Sequence, residues 1–211
     1  SDAKPLVIGV AGVSQSGEPS RMATSLSSVY AARDLNVLLI DADPNATLTK
    51  ELKLTESMGL ADVVGIETPI GDAIQMVESP HGSLQVMGAG TTNTTLQRDL
   101  VSTLSIDDFR QLIDKVASNH DVVIVGLGVL AAGRHSALGA SVSDQFVLVA
   151  STGNRKRKVA DAIALLDRVA PDRYMLAFKN ASRLDPMVDQ DDEQITKAHQ
   201  SSGWFKSFQK V

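Results

Sequence analysis

Six short apolar runs punctuate this chain, and the stretches between them carry a helical rather than a strand period. That alternation restricts the fold more than any single motif does. The runs are Leu6–Ala11, Val37–Ile40, Leu84–Met87, Val122–Val125, Phe146–Ala150 and Tyr174–Phe178. Runs with no polar face belong inside a sheet that is covered on both sides. Between them Met22, Leu26, Val29 and Tyr30 fall on one helical face, as do Phe109, Leu112, Ile113 and Val116, and later Val159, Ile163 and Leu166. Ser105, with Asp108 three residues on, resembles a capping box for the second of these helices. The order predicts an α/β fold: a predominantly parallel sheet flanked by helices on both faces. Aromatic residues make up 4% of the 211, so the core must be aliphatic. Thr55–Pro80, punctuated by Gly and Pro, reads as short helices and turns. No internal repeat or second domain is evident; residues 1–184 read as one domain, and residues 185–211 as a polar linker and a C-terminal tail.

The loop after the first run is Ser14-Gln15-Ser16-Gly17-Glu18-Pro19-Ser20-Arg21, followed by an amphipathic helix expected to begin near Ser20. Apolar strand, loop and helix make the setting of a phosphate-binding loop. That loop needs glycine, then lysine, then Ser or Thr: backbone N–H groups wrap the phosphates, the lysine reaches the outer ones and the hydroxyl holds Mg²⁺. Here Pro19, Ser20 and Arg21 fill those places, after Gly17 and Glu18. Proline has no N–H to donate, serine carries no positive charge, and arginine cannot ligate a cation. The reading is a nucleotide-hydrolase fold that has lost its reaction.

After the first helix comes Asn36-Val37-Leu38-Leu39-Ile40-Asp41-Ala42-Asp43-Pro44. This segment resembles the second acidic motif of the bacterial tyrosine kinases that regulate capsule and exopolysaccharide synthesis, relatives of the MinD/ParA ATPases of the P-loop NTPase superfamily. The likeness continues through Met58–Gly65, Gly71–Ile74, Leu84–Gly90, Phe109–Leu112 and Asp121–Val125, and spans residues 5–180. In that family the strand resembling Val122–Val125 ends in an aspartate that orders the water around Mg²⁺. This chain has Gly126-Leu127-Gly128-Val129, and a glycine brings no carboxylate. Family kinases also carry a tyrosine-rich C-terminal tail, whereas only Tyr30 and Tyr174 exist here. Asp41 and Asp43 survive, and the resemblance assigns them to Mg²⁺ and catalytic-base work. The structural alternative is that two acids close a strand and begin a turn, where Asp is favoured anyway.

The resemblance thus implies a pseudo-tyrosine-kinase, not an enzyme. It would act as a partner-binding regulator or scaffold in exopolysaccharide or capsule synthesis and export. The implied partners are a membrane-bound polysaccharide co-polymerase or other synthesis and export proteins, with self-association a further expectation. It would lie in the cytoplasm, peripherally associated with the inner membrane, with no required cofactor. Two alternatives stand beside this. One is a nucleotide-binding protein (ATP or ADP) with a non-standard phosphate site built from Arg21, Asp41 and Asp43, in which the Arg21 guanidinium clamps an anion at a helix start. The other is a degenerate MinD/ParA-like positioning protein; against it, the second lysine of that loop would fall at Gln15.

The formal net charge of −5 argues against a globally basic nucleic-acid binder. Without cysteine there is no disulfide and no thiolate metal site. His81, His120, His135 and His199 lack metal-ligand spacing and read as structural. No run is long enough to span a bilayer and no signal-peptide pattern precedes the first strand, which begins almost at the first residue, as in a segment of a longer protein. The run Arg155-Lys156-Arg157-Lys158 opens a predicted helix, where positive charge opposes the dipole by a few tenths of a kcal/mol per residue. It reads either as a solvated face or as a basic patch for an acidic partner. In the tail, Trp204 and Phe208 share a helical face flanked by Phe205, a short amphipathic element suited to its own domain, a partner groove or an anionic membrane surface.

Overall fold

The computed structural model describes residues 4–15, 18–54, 57–65, 68–79, 82–90, 105–117, 119–132 and 134–179. Their strands are β1 (Leu6–Gly12), β2 (Val37–Asp41), β3 (Ile74–Ser79), β4 (Gly82–Met87), β5 (Val122–Val129), β6 (Gln145–Ser151) and β7 (Tyr174–Lys179). The helices are α1 (Glu18–Ala31), α2 (Thr47–Glu51), α3 (Leu60–Gly65), α4 (Ile106–Ala117), α5 (Arg134–Val142) and α6 (Lys156–Val169). All six predicted apolar runs are strands. They form one sheet with β3 in the order β3-β4-β2-β5-β1-β6-β7, parallel throughout except for β3, which pairs antiparallel with β4.

The two cores follow from the period of the strands, since successive residues point to opposite faces. One face presents Val7, Leu38, Ile40, Val123, Val125, Phe146 and Leu148 to Phe109, Leu112, Ile113 and Val116 of α4 and to Val159, Ala162 and Leu166 of α6. The other presents Ile8, Val10, Leu39, Ile124, Val147 and Val149, with Ala23 of α1 and Leu48 of α2 in the same cluster. The capping box at α4 is reciprocal: the Ser105 N–H donates to Asp108 Oδ2 at 3.1 Å and the Asp108 N–H donates to Ser105 Oγ at 3.1 Å.

Three expectations need correction. Thr55–Pro80 is not only short helices and turns, because Ile74–Ser79 is the edge strand β3. It lies half exposed, with Met76 65% accessible, so its sequence lacks the apolar run of a central strand. The first helix begins at Glu18 rather than Ser20, which places Pro19 in its first turn, where a missing N–H costs nothing. Its buried side also differs from the predicted one. Val29 is 50% exposed, and the fully buried residues are Pro19, Ser20, Ala23, Ser27 and Ser28, with Met22, Leu26 and Tyr30 partly buried beside them. Ser27 and Ser28 can be buried here because their hydroxyls serve their own helix: Ser27 Oγ donates to the Ala23 carbonyl at 2.9 Å and Ser28 Oγ to that of Thr24 at 3.0 Å.

Candidate functional site

Parallel topology gathers the loops after β1, β2, β4, β5 and β6 along one edge of the sheet, where α/β proteins place their ligands. The loop after β1 is fixed at its start: the Val13 N–H donates to the Val149 carbonyl at 3.0 Å, and Asn154 Nδ2 donates to Ser14 Oγ at 2.7 Å. Its far end is the first turn of α1. There the Pro19 ring packs onto Gly12, so closely that a Cβ on Gly12 would lie 2.5 Å from Pro19 Cγ. Glu18 pairs with Lys179 at the end of β7, Nζ to Oε1 2.5 Å, and lies 3.6 Å from Arg21 Nη1. A carboxylate of this chain thus stands at the helix start, where the dipole favours negative charge. Arg21 is exposed and faces Glu18, so any anion clamped by Arg21 competes with that carboxylate. Gly17 lies outside the described residues.

Asp41 and Asp43 end up buried, 1% and 5% accessible. Both are wired into the backbone that follows β2. Asp41 Oδ2 accepts from the Thr49 N–H at 2.7 Å and from Thr49 Oγ1 at 2.6 Å, while Oδ1 accepts from the Asp43 N–H at 3.1 Å. Thr49 Oγ1 in turn accepts from the Ala89 N–H at 2.7 Å, tying α2 to the loop after β4. Asp43 accepts from the Asn45 N–H at 3.0 Å, from Asn45 Nδ2 at 3.2 Å and from the Thr47 hydroxyl. Burial pushes the Asp41 carboxyl up to about 6; the three hydrogen bonds pull it down and the charge of Asp43 adds a smaller push upward. Among the described residues, no ion pair involves either aspartate.

Gly126 sits opposite Asp41 across the β2–β5 ladder, and a Cβ there would meet only the Ile40 carbonyl oxygen at 3.6 Å. Space for a side chain therefore exists at the position where the family resemblance expects an aspartate. Gly128 is different. Its φ of +66° is a left-handed conformation, and a Cβ would lie 2.5 Å from Asp43 Cγ. Beyond it, Ser136 is fully buried, with Oγ 3.0 Å from both the Leu127 and Val129 carbonyls and 2.9 Å from His135 Nε2. Its one hydrogen goes to a carbonyl, so the His135 Nε2–H donates to Oγ. Burial lowers the His135 pKa, against the opposing pull of Asp43 and the Leu127 carbonyl.

Arg155, Lys156, Arg157 and Lys158 are all exposed at the start of α6, as the sequence placed them. Trp204, Phe205 and Phe208, with the 184/185 boundary, His81 and His199, lie outside the described residues. His120 is structural: Nδ1 lies 2.6 Å from the Val116 carbonyl oxygen and Nε2 3.2 Å from Gln85 Oε1, far along the chain from the acids. Sequence reasoning missed Thr47, Thr49, Asn154, His135, Ser136 and Lys179 as site neighbours. Thr49 alone had a local signal, a hydroxyl in the turn after two acids; Lys179 had none, being 161 residues from Glu18.

No family model matches the chain, and no curated protein matches it in sequence. Solved structures do. The kinase domain of the Escherichia coli tyrosine kinase ETK superposes with a TM-score of 0.72 at 20% identity, covering 90% of this chain and 73% of that one. The VpsO kinase domain gives 0.69 at 16% identity, over 83% and 86%. A ParA family ATPase from Chlorobium tepidum gives 0.72 at 18% identity, over 93% and 82%. These likenesses show that the chain has the α/β fold of bacterial tyrosine kinase domains and ParA/MinD ATPases, as the resemblance in its segments implied.

Proposed function

We propose that this chain is a catalytically inactive relative of the bacterial tyrosine kinases, a pseudokinase that keeps the fold of a regulatory ATPase and acts by binding partners in exopolysaccharide or capsule synthesis and export. The observation that carries the reading is where the oxygens of Asp41 and Asp43 go. A Mg²⁺-nucleotide needs free carboxylate oxygens, a hydroxyl, a loop lysine and backbone N–H groups around the phosphates. Here the two carboxylates accept from Thr49, Asp43, Asn45 and Thr47 of the same turn. Residues 12–21 contain no lysine, Pro19 closes over Gly12, and Glu18 brings negative charge to the helix start. The residues present do not fit the group, and no reaction step follows through it.

The polysaccharide setting rests on the segments that resemble that kinase family and on the fold shared with ETK and VpsO kinase domains. On this reading the partner is a membrane-bound co-polymerase and the protein sits peripherally at the cytoplasmic face of the inner membrane. No helix among the described residues is long and apolar enough to cross a membrane, so attachment would come through a partner or a surface element. The test is ATP turnover at saturating Mg²⁺ATP, with calorimetry for ATP and ADP. No turnover above a buffer control is expected; turnover that disappears on Asp41→Ala overturns the reading. Co-sedimentation with native membranes, weakened by Trp204→Ala with Phe208→Ala, tests the attachment separately.

A further inference from the structure

We propose that the start of α6 is a docking surface for a short acidic protein segment, formed by Arg155, Arg157 and Lys158. The inference rests on the reading of this fold as a binding module and names the chemistry of one partner. All three side chains are exposed, and none has an ion pair or hydrogen bond among the described residues. They stand where their own helix repels them, because the N-terminal end of a helix carries the positive pole of its dipole. Helix α4 of the same protein obeys the usual rule, with Asp107 and Asp108 in its first turn and Lys115 in its last. Helix α6 has no acid in its first turn. An external anion would meet both the cations and the helix pole at once.

The surface is also rigidly held beside the candidate site. Asn154, the residue before Arg155, accepts from the Ser151 N–H through Oδ1 at 2.8 Å and donates to Ser14 Oγ at 2.7 Å. Ser151 lies opposite Lys179 in the β6–β7 ladder, and Lys179 in turn holds Glu18. The cations thus continue the same edge, with Glu18 as the acid already bound to it. The rest of the protein decides the size of the partner. The chain as a whole carries a formal charge of −5, which repels an extended polyanion over a range set by the Debye length, about 10 Å at 0.1 M salt. A duplex or an anionic membrane would meet that repulsion, whereas a segment of a few carboxylates covers the patch alone.

The experiment is fluorescence anisotropy of a labelled octaglutamate peptide with the full chain at low salt. We expect saturable binding that weakens as salt is added, and at least about tenfold weaker binding for Arg155→Ala/Arg157→Ala/Lys158→Ala. Arg33→Ala/Arg168→Ala removes two exposed cations elsewhere and should leave the affinity in place. Because the three side chains are exposed, the triple variant should melt with the wild type, so that lost binding reports on the surface and not the fold. Absence of binding by the wild type, equal affinity of the triple variant, or tighter binding of a DNA duplex or of phosphatidylglycerol vesicles than of the peptide overturns the proposal. ATP turnover by the unaltered protein would remove the inactive reading while leaving these binding results to stand or fall by themselves.

Discussion

The loop after β1 and the turn after β2 reach the same edge of the sheet and differ in what their residues offer a ligand. The first carries Pro19, Ser20 and Arg21 where a phosphate loop has glycine, lysine and a hydroxyl. The second carries Asp41 and Asp43 and surrounds them with donors from their own turn. Two neighbouring acids can thus have their oxygens committed to their own backbone. In the first region the difference is visible as chemistry; in the second it is visible only as hydrogen bonding. The two regions should therefore respond differently to substitution, with large stability effects in the acid turn and small ones at the loop.

The largest effect is expected at Gly128. Gly128→Ala would force a side chain into a left-handed backbone and against the Asp43 carboxylate, and should cost about 3–4 kcal/mol in urea unfolding. Gly126→Ala, two residues earlier on the same strand, has ordinary backbone and room for the Cβ. It should cost less than about 1 kcal/mol. If the two substitutions cost the same, the acid turn does not depend on close approach at Gly128.

Asp41 gives the next effect through pH. Its carboxyl is held at about 6 in the folded protein against 3.8 ordinarily, so the folded state binds the proton more tightly than the unfolded one. The sign follows from linkage: this group's stabilisation is full below the unfolded value and is lost as pH rises through the folded one, a difference of roughly 3 kcal/mol between about pH 3.5 and pH 7. Subtracting the melting profile of Asp41→Asn should remove a downward slope between those limits. A variant whose profile parallels the wild type would show that Asp41 is ionised without penalty, as a carboxylate facing a cation would be.

Thr49→Val tests the wiring itself. It removes a donor to Asp41 and leaves the buried Ala89 N–H without its acceptor, for an expected loss of about 2 kcal/mol by chemical unfolding. At the other region Glu18→Gln breaks partly exposed pairs with Lys179 and Arg21 and should shift stability by less than about 0.5 kcal/mol. A loss at Glu18 as large as that at Thr49 would erase the distinction between a surface pair at the loop and a buried network in the turn.

The six apolar strands and the helical layers on both faces were legible because they rest on patterns a few residues long; their order in the sheet was not. Phe109, Leu112, Ile113 and Val116 recur at helical spacing and are all buried. Edge strand β3 escaped notice because Gln75 and Glu78 dilute its apolar pattern, which an edge strand tolerates when water covers one side. The stripe of α1 was misread because Val29 fits the helical period while serine does not look like a core residue. Serine enters the core here by returning its hydrogen to the carbonyl four residues back.

By itself, the sequence determined six of the seven strands, that most of them run parallel, and that residues 12–21 after β1 carry no lysine. Those properties follow from side-chain chemistry and short-range period. Only the tertiary structure decided that Glu18 meets Lys179, that Asp43 lies against Gly128, and that Thr49 joins Asp41 to Ala89. Such pairings depend on where distant strands end in space. A buried carboxylate, which must find donors wherever the packing supplies them, shows its role only there.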